Sequence, residues 1–127
     1  MSKIIYLVDD EPDILVVMSG LLKGSGYEVK TFASGPELII ALSASQPDLI
    51  VLDVLMPDMN GYELCRTIKA NPSLSSIKIC FLSALDTAED VKKGIVCGAD
   101  DFLKKTLGHR HILGRIKGLL GEPDDGK

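Results

Sequence analysis

The sequence predicts an α/β domain built on a doubly wound, five-stranded parallel sheet, and two observations carry that expectation. Five short apolar runs alternate along the 127 residues with five longer segments of helical period, with turn residues between them, the pattern of repeated βα units. The first, third and fourth runs are nearly continuous in Val, Ile and Leu, as strands are when helices cover both faces of their sheet.

Strand β1 is expected over Ile4–Val8. The segment from Pro12 follows as helix α1: Ile14, Met18, Leu21 and Leu22 share a face, Pro12 suits the first turn, and Gly24 or Gly26 can end it. Strand β2 is expected over Glu28–Phe32, after which Ser34-Gly35-Pro36-Glu37 opens α2 with serine as cap, and Gln46-Pro47-Asp48 leads out. Strand β3 is expected over Leu49–Leu52. Asn60-Gly61-Tyr62-Glu63 opens α3 with capping-box spacing, and Leu64, Cys65 and Ile68 form its inward stripe. Strand β4 is expected over Ile77–Leu82, and Thr87 to Asp90 repeats the capping logic for α4. Strand β5 is expected over Asp101–Leu103, and α5 from about His109 to Leu120 carries Ile112, Ile116, Leu119 and Leu120 on one face. Gly114 and Gly118 inside α5 each cost about 1 kcal/mol relative to alanine. This helix is therefore expected to be the least stable and to rely on packing.

The length fits one domain, expected over residues 1–121, with a polar, breaker-rich stretch at 122–127 expected to be disordered. Acids outnumber bases 18 to 14, which argues against a nucleic-acid footprint. The apolar runs fall far short of the roughly 20 residues that cross a bilayer, and the first strand begins too early for a signal peptide. A cytoplasmic protein without membrane contact is the expectation. Cys65, Cys80 and Cys97 are widely spaced among apolar neighbours, which fits buried thiols better than disulfides or a zinc site.

The chemistry gathers at strand ends. Asp9-Asp10 follows β1, Asp53 follows β3, Ser83 follows β4, and Lys105 lies two residues beyond β5. Ligands of an open parallel sheet bind beyond the carboxyl ends of its strands, where the strand order reverses. If β1 and β3 are neighbours, Asp10 and Asp53 can share a hard cation with oxygen ligands; Mg2+ fits best and Mn2+ next. The competing reading of Asp9-Asp10-Glu11 is a helix N-terminus, where acids satisfy free amides and favour the dipole. Core packing, however, does not require acids at two strand ends, a hydroxyl at a third and an amine beyond a fourth. A carboxylate beside a divalent ion can attack phosphorus and form an acyl phosphate, and the Ser83 hydroxyl and Lys105 ammonium can hold the phosphoryl oxygens.

With those residues in place, the chain resembles the receiver domains of two-component response regulators over essentially its whole length. The resemblance rests on Leu7-Val8-Asp9-Asp10-Glu11, on the run from Asp48 through Asp53 and Pro57-Asp58 to Gly61, on Leu82-Ser83-Ala84, and on Gly98-Ala99-Asp100-Asp101-Phe102-Leu103-Lys104-Lys105. It implies a flavodoxin-like fold with strand order 2-1-3-4-5. It also implies that Asp53 accepts a phosphoryl group from a histidine of a sensor kinase or phosphotransfer protein. Magnesium is implied at Asp10, Asp53 and the Leu55 carbonyl, with Asp9 acting through water. Either Lys104 or Lys105 can be the phosphate-pairing amine; the family's spacing of three residues after the strand-five aromatic, here Phe102, selects Lys105. Ser83 and Phe102 resemble the family's switch pair, and the bland alternative is that Phe102 is simply core. A downstream protein is implied at the α4-β5-α5 face, where His109, Arg110, His111, Arg115 and Lys117 make α5 basic; a solvated face is the plainer reading of those charges. The resemblance implies a phosphoacceptor that assists its own chemistry, not an enzyme with a separate substrate.

Two departures from the family matter. Thr106 stands where receivers usually carry proline after the lysine; a cis bond before threonine costs about 3 kcal/mol, so a trans Lys105-Thr106 bond and an altered turn are expected. Leu55 and Leu85 occupy the variable positions beside the phosphoacceptor and the hydroxyl, and neither orients a water, so slow self-dephosphorylation is expected. A haloacid-type phosphoaspartyl hydrolase would want an aspartate at position 55, and a flavodoxin-like phosphate binder would not place Asp9-Asp10-Glu11 in its first loop. A receiver fold used as an interaction module without phosphorylation is the remaining alternative.

Overall fold

The computed structural model describes residues 2–56, 59–85 and 87–122. Strands β1 (Ile4–Val8), β2 (Glu28–Phe32), β3 (Leu49–Leu52), β4 (Lys78–Ser83) and β5 (Asp101–Lys104) form one parallel sheet in the order β2-β1-β3-β4-β5. Helices α1 (Pro12–Gly24), α2 (Gly35–Ala44), α3 (Gly61–Ala70), α4 (Ala88–Val96) and α5 (His109–Leu119) provide the connections. Leu55–Met56 and Met59–Asn60 form a separate antiparallel ladder just after β3. The Pro57-Asp58 step of the sequence motif lies outside the described residues.

Side-chain alternation splits the core into two layers. Ile5 and Leu7, Leu49 and Val51, Cys80 and Leu82, and Leu103 face α1 and α5, where Met18, Leu22, Ile112, Ile116 and Leu120 meet them. Tyr6 and Val8, Ile50 and Leu52, Ile79 and Phe81, and Phe102 face the other way, toward Leu38 and Leu42 of α2 and Leu64, Cys65 and Ile68 of α3. Helices on both faces explain the unbroken apolar runs of β1, β3 and β4. Leu119 is only half-buried, so the inward stripe of α5 is Ile112 and Ile116, continued by the C-cap residue Leu120.

Three local differences from the sequence reading have physical causes. Strand β4 starts at Lys78, not Ile77, because the Ile77 N–H is already donated to Leu74 O at 3.0 Å, whereas Lys78 N donates to Asp48 O at 3.2 Å. Strand β5 gains Lys104 through its pairing with Ser83. At α3, Asn60 Oδ1 accepts from the Tyr62 N–H at 2.8 Å, so the cap is a short Asx-type one and not the expected box with Glu63. The box does form at α4, where Thr87 Oγ1 accepts from Asp90 N at 3.1 Å and Asp90 Oδ2 accepts from Thr87 N at 3.2 Å.

Glu122, expected in the disordered stretch, is instead tied to the fold: its N–H donates to Lys117 O at 2.9 Å after a left-handed Gly121 (φ 73°), and its carboxylate accepts from the Tyr27 hydroxyl. Residues 123–127 lie outside the described residues. Among the described residues no peptide bond is cis, and no helix is long and apolar enough to cross a membrane.

Candidate functional site

In the sheet, β1 lies beside both β2 and β3, so the strand order reverses there and a crevice opens at the carboxyl ends of β1 and β3. Asp9 and Asp53 lie side by side at that mouth, because Asp53 N donates to Val8 O at 3.0 Å and Asp9 N to Phe32 O at 3.1 Å. Asp9, Asp10 and Asp53 each offer a carboxylate oxygen, and the three atoms lie within 4.8 Å of one another. Asp9 and Asp53 are buried, at 1% and 5% exposure, and Asp10 is open to solvent.

The acids of this loop do not cap α1. Glu11 is the N-cap residue, extended at φ −89° and ψ 110°, and its side chain makes no capping bond; the following Pro12 disfavours helical backbone at this position. Asp9 Oδ1 accepts instead from the Glu11 N–H at 3.0 Å. The loop is thereby folded back on itself, and the carboxylates are left for other partners.

The Lys105 ammonium is such a partner for Asp9, Glu11 and Asp53. Lys105 Nζ lies 2.6 Å from Glu11 Oε1, 3.0 Å from Asp9 Oδ2 and 3.3 Å from Asp53 Oδ2. Its backbone N–H donates to Ser83 O at 2.8 Å, which holds the β5-α5 turn against the end of β4. Lys104, the other candidate, is an exposed strand residue paired with Ser83. Lys105 is thus the lysine that reaches Asp53, across a trans bond to Thr106. Burial works to lower its pKa, but hydrogen bonds to Glu11 and Asp9 and the Asp53 charge outweigh it and hold the ammonium above the ordinary lysine value. Burial pushes the Asp9 carboxyl up, against the Glu11 N–H and Lys105 that favour its ionised form.

Ser83 is buried, and its Oγ accepts from Leu85 N at 3.2 Å. Leu55 N donates to Asp53 Oδ1 at 3.4 Å, while the Leu55 side chain is 58% exposed. Phe102 is buried, its ring 5.7 Å from that of Phe81, which in turn meets Tyr62 at 5.5 Å. Gly94 of α4 lies directly over the pair: an added Cβ would fall 2.9 Å from Phe102 and 3.2 Å from Phe81.

Two contributors were not singled out in the sequence. Glu11 makes the shortest contact of Lys105, and Pro12 beside it was the signal for its fixed backbone. Gly61 is the other: a Cβ there would lie 2.5 Å from Asp53 O and 2.7 Å from Val54 Cα, and its N–H donates to Val54 O at 2.8 Å. The start of α3 is pressed directly onto the backbone that carries Asp53.

The donor set fits a hard divalent cation. It is made of oxygen only, two of its carboxylates are buried, and the Lys105 ammonium is shared among Asp9, Glu11 and Asp53. Uncompensated buried carboxylates are costly, and a dication offsets them.

Comparison with known proteins decides the family: the model of the response regulator receiver domain matches residues 5–117. The chain belongs to that family. Such receiver domains are the signalling domains of two-component response regulators and bind Mg2+ at an acidic pocket. The DNA-binding response regulator MtrA of Mycolicibacterium smegmatis is 30% identical over 125 residues, 98% of this receiver domain and 54% of that protein. The chain spans about half the length of the curated relatives it matches. The signal receiver domain of a signal transduction histidine kinase from Syntrophus aciditrophicus is 37% identical with a TM-score of 0.87, covering 94% of this chain and 91% of that one. The chemotaxis response regulator CheY4 of Vibrio cholerae is 27% identical with a TM-score of 0.88, covering 94% and 99%. The receiver family and its five-stranded fold are therefore shown from the sequence, the structure and the relatives alike.

Proposed function

We propose that this receiver domain is a phosphorylation-dependent switch whose phosphoacceptor is Asp53. The observation that carries the reading is the set around that carboxylate: Lys105 Nζ at 3.3 Å and carboxylates of Asp9 and Asp10 within 4.8 Å, at the reversal of the strand order. An Asp53 oxygen attacks the phosphorus of a phosphohistidine on a partner kinase or phosphotransfer protein. A P–O bond forms as the P–N bond breaks, and the imidazole nitrogen keeps the electron pair and takes a proton from solvent. Asp10, Asp53 and the Leu55 carbonyl would hold Mg2+, or Mn2+, with Asp9 acting through water. The bound ion supplies charge neutralisation between an anionic nucleophile and an anionic phosphoryl group.

Lys105 and Ser83 would take the phosphoryl oxygens. Lysine suits this as a mobile point charge, and Ser83 Oγ needs only to turn from Leu85 N. Ser83 and Phe102 then form the switch. Phe102 carries no hydroxyl and already lies buried beneath Gly94, so the state is reported by how α4 and β5 pack, not by a surface hydrogen bond. The α4-β5-α5 face, where His109, Arg110 and His111 of α5 are exposed, is the surface offered to a downstream protein. Arg115 is committed to Asp101, through bonds of 2.6 and 3.0 Å.

The test treats the protein with acetyl phosphate and Mg2+ and follows intact mass. A gain of one phosphoryl group that Asp53→Asn abolishes is the expected result. No gain in the wild type would leave the fold as an interaction module working without phosphorylation. After donor removal the phosphoryl group should persist, since exposed Leu55 and half-buried Leu85 position no water.

A further inference from the structure

Glu11 lies outside the cluster of Asp9, Asp10 and Asp53, yet it makes the closest contact of Lys105: 2.6 Å, against 3.0 Å to Asp9 and 3.3 Å to Asp53. An ammonium has three donors; here Lys105 Nζ donates to Glu11 and Asp53 and is ion-paired with Asp9 at 3.0 Å. A phosphoryl group on Asp53 must therefore draw Lys105 away from a partner it already has. Asp53 and Asp9 stand within the acidic cluster itself, so the partner that can be released without disturbing that cluster is Glu11.

The geometry points to Glu11 as a positioning residue that competes with the phosphoryl group for Lys105 and so slows phosphorylation of Asp53. This rests on the reading of Asp53 as phosphoacceptor. The contact spans 94 positions of sequence and joins the β1-α1 loop to the β5-α5 turn. Both ends are constrained. Glu11 is extended ahead of Pro12, and Lys105 is anchored through its N–H to Ser83 O at 2.8 Å. The Glu11 side chain is 57% exposed and that of Lys105 12% exposed, so solvent screens the pair and its hold is modest. That suits a contact which must be broken in each cycle.

Two measurements test it. In the presence of acetyl phosphate and Mg2+, Glu11→Gln should raise the initial rate of Asp53 phosphorylation by about two- to fivefold, the range of a partly exposed ion pair. In a Lys105→Ala background the same substitution should change the slower residual rate by less than this. Equal acceleration in both backgrounds would mean that Glu11 acts only by repelling the anionic donor, and would overturn the proposal, as would no acceleration in either. The second measurement needs neither metal nor phosphate. The side-chain ammonium of Lys105, followed by nitrogen-detected NMR in the resting protein, should exchange its protons slowly in the wild type, quickly in Glu11→Gln and at an intermediate rate in Glu11→Asp. Indistinguishable exchange in wild type and Glu11→Gln would sink it. If the wild type takes up no phosphoryl group at all, the phosphoacceptor reading falls and the competition with it; normal uptake with silent variants overturns Glu11 alone.

Discussion

At the residue scale, two glycines lie close to the site, and what each one touches separates them. A Cβ on Gly61 would meet backbone, 2.5 Å from Asp53 O and 2.7 Å from Val54 Cα, whereas a Cβ on Gly94 would meet the ring of Phe102 at 2.9 Å. A ring can shift by a few tenths of an ångström, but a strand end paired in the sheet cannot without moving Asp53. Gly61→Ala is expected to cost about 2–3 kcal/mol in denaturant unfolding and to slow phosphorylation as well. Gly94→Ala should cost about 1 kcal/mol or less, because the gain in helix propensity offsets part of the overlap. Equal losses for the two would contradict the distinction between backbone and side-chain neighbours. The same scale shows what the sequence made legible. Asp9, Asp53 and Ser83 are placed by ending apolar runs, so their convergence follows once the strands are identified. The contact of Glu11 with Lys105 depends on how far apart two loops stand after the sheet has assembled, and no local pattern encodes that distance.

Among the elements, the first three strands have the bounds read from the sequence because apolar runs and turn residues coincide at their ends. Strand β4 is displaced by one residue because a turn at Leu74 takes the Ile77 N–H, a competition between hydrogen bonds that hydropathy does not register. Helix α5 combines two interior glycines with an N-cap, Gly108, that makes no side-chain bond. Its hold on the body is Ile112, Ile116 and Leu120 together with the Arg115–Asp101 pair. At Gly118 an added Cβ would meet nothing within 4 Å. Gly118→Ala is accordingly expected to stabilise the protein by about 0.5–1 kcal/mol, read as a shift of the urea midpoint at unchanged slope. A Gly98→Ala control should do the opposite, since Gly98 has φ 98° and its added Cβ would lie 3.2 Å from the Lys69 side chain. A destabilised Gly118→Ala would mean that α5 needs its flexibility to pack.

On the scale of the whole molecule, the residue that leads into edge strand β2 and the turn that follows α5 are joined by the Tyr27–Glu122 hydrogen bond, 95 positions apart in sequence. Tyr27 is buried at 6% exposure. Burial, then the bond to Glu122 and its negative charge, pushes the phenol pKa well above its ordinary value near 10. The consequence for stability has a definite sign. Below pH 10 the phenol is neutral in both folded and unfolded chains, and the full contribution of the clasp is present. Above pH 10 the unfolded chain releases this proton while the folded protein keeps it, so stability falls by up to about 1.4 kcal/mol per pH unit for this one group. Tyr27→Phe removes both the bond and the titration. At pH 8 it should be less stable than the wild type by about 1.5–3 kcal/mol, the range for a hydrogen bond to a charged acceptor. As pH rises from 10 to 11 the gap should narrow, because only the wild type pays the linkage cost of Tyr27, while every other titrating group is common to both proteins. Guanidinium unfolding at half-unit pH steps measures it, and a gap that stays constant from pH 8 to 11 would show that Tyr27 ionises as freely in the folded protein as in the unfolded chain.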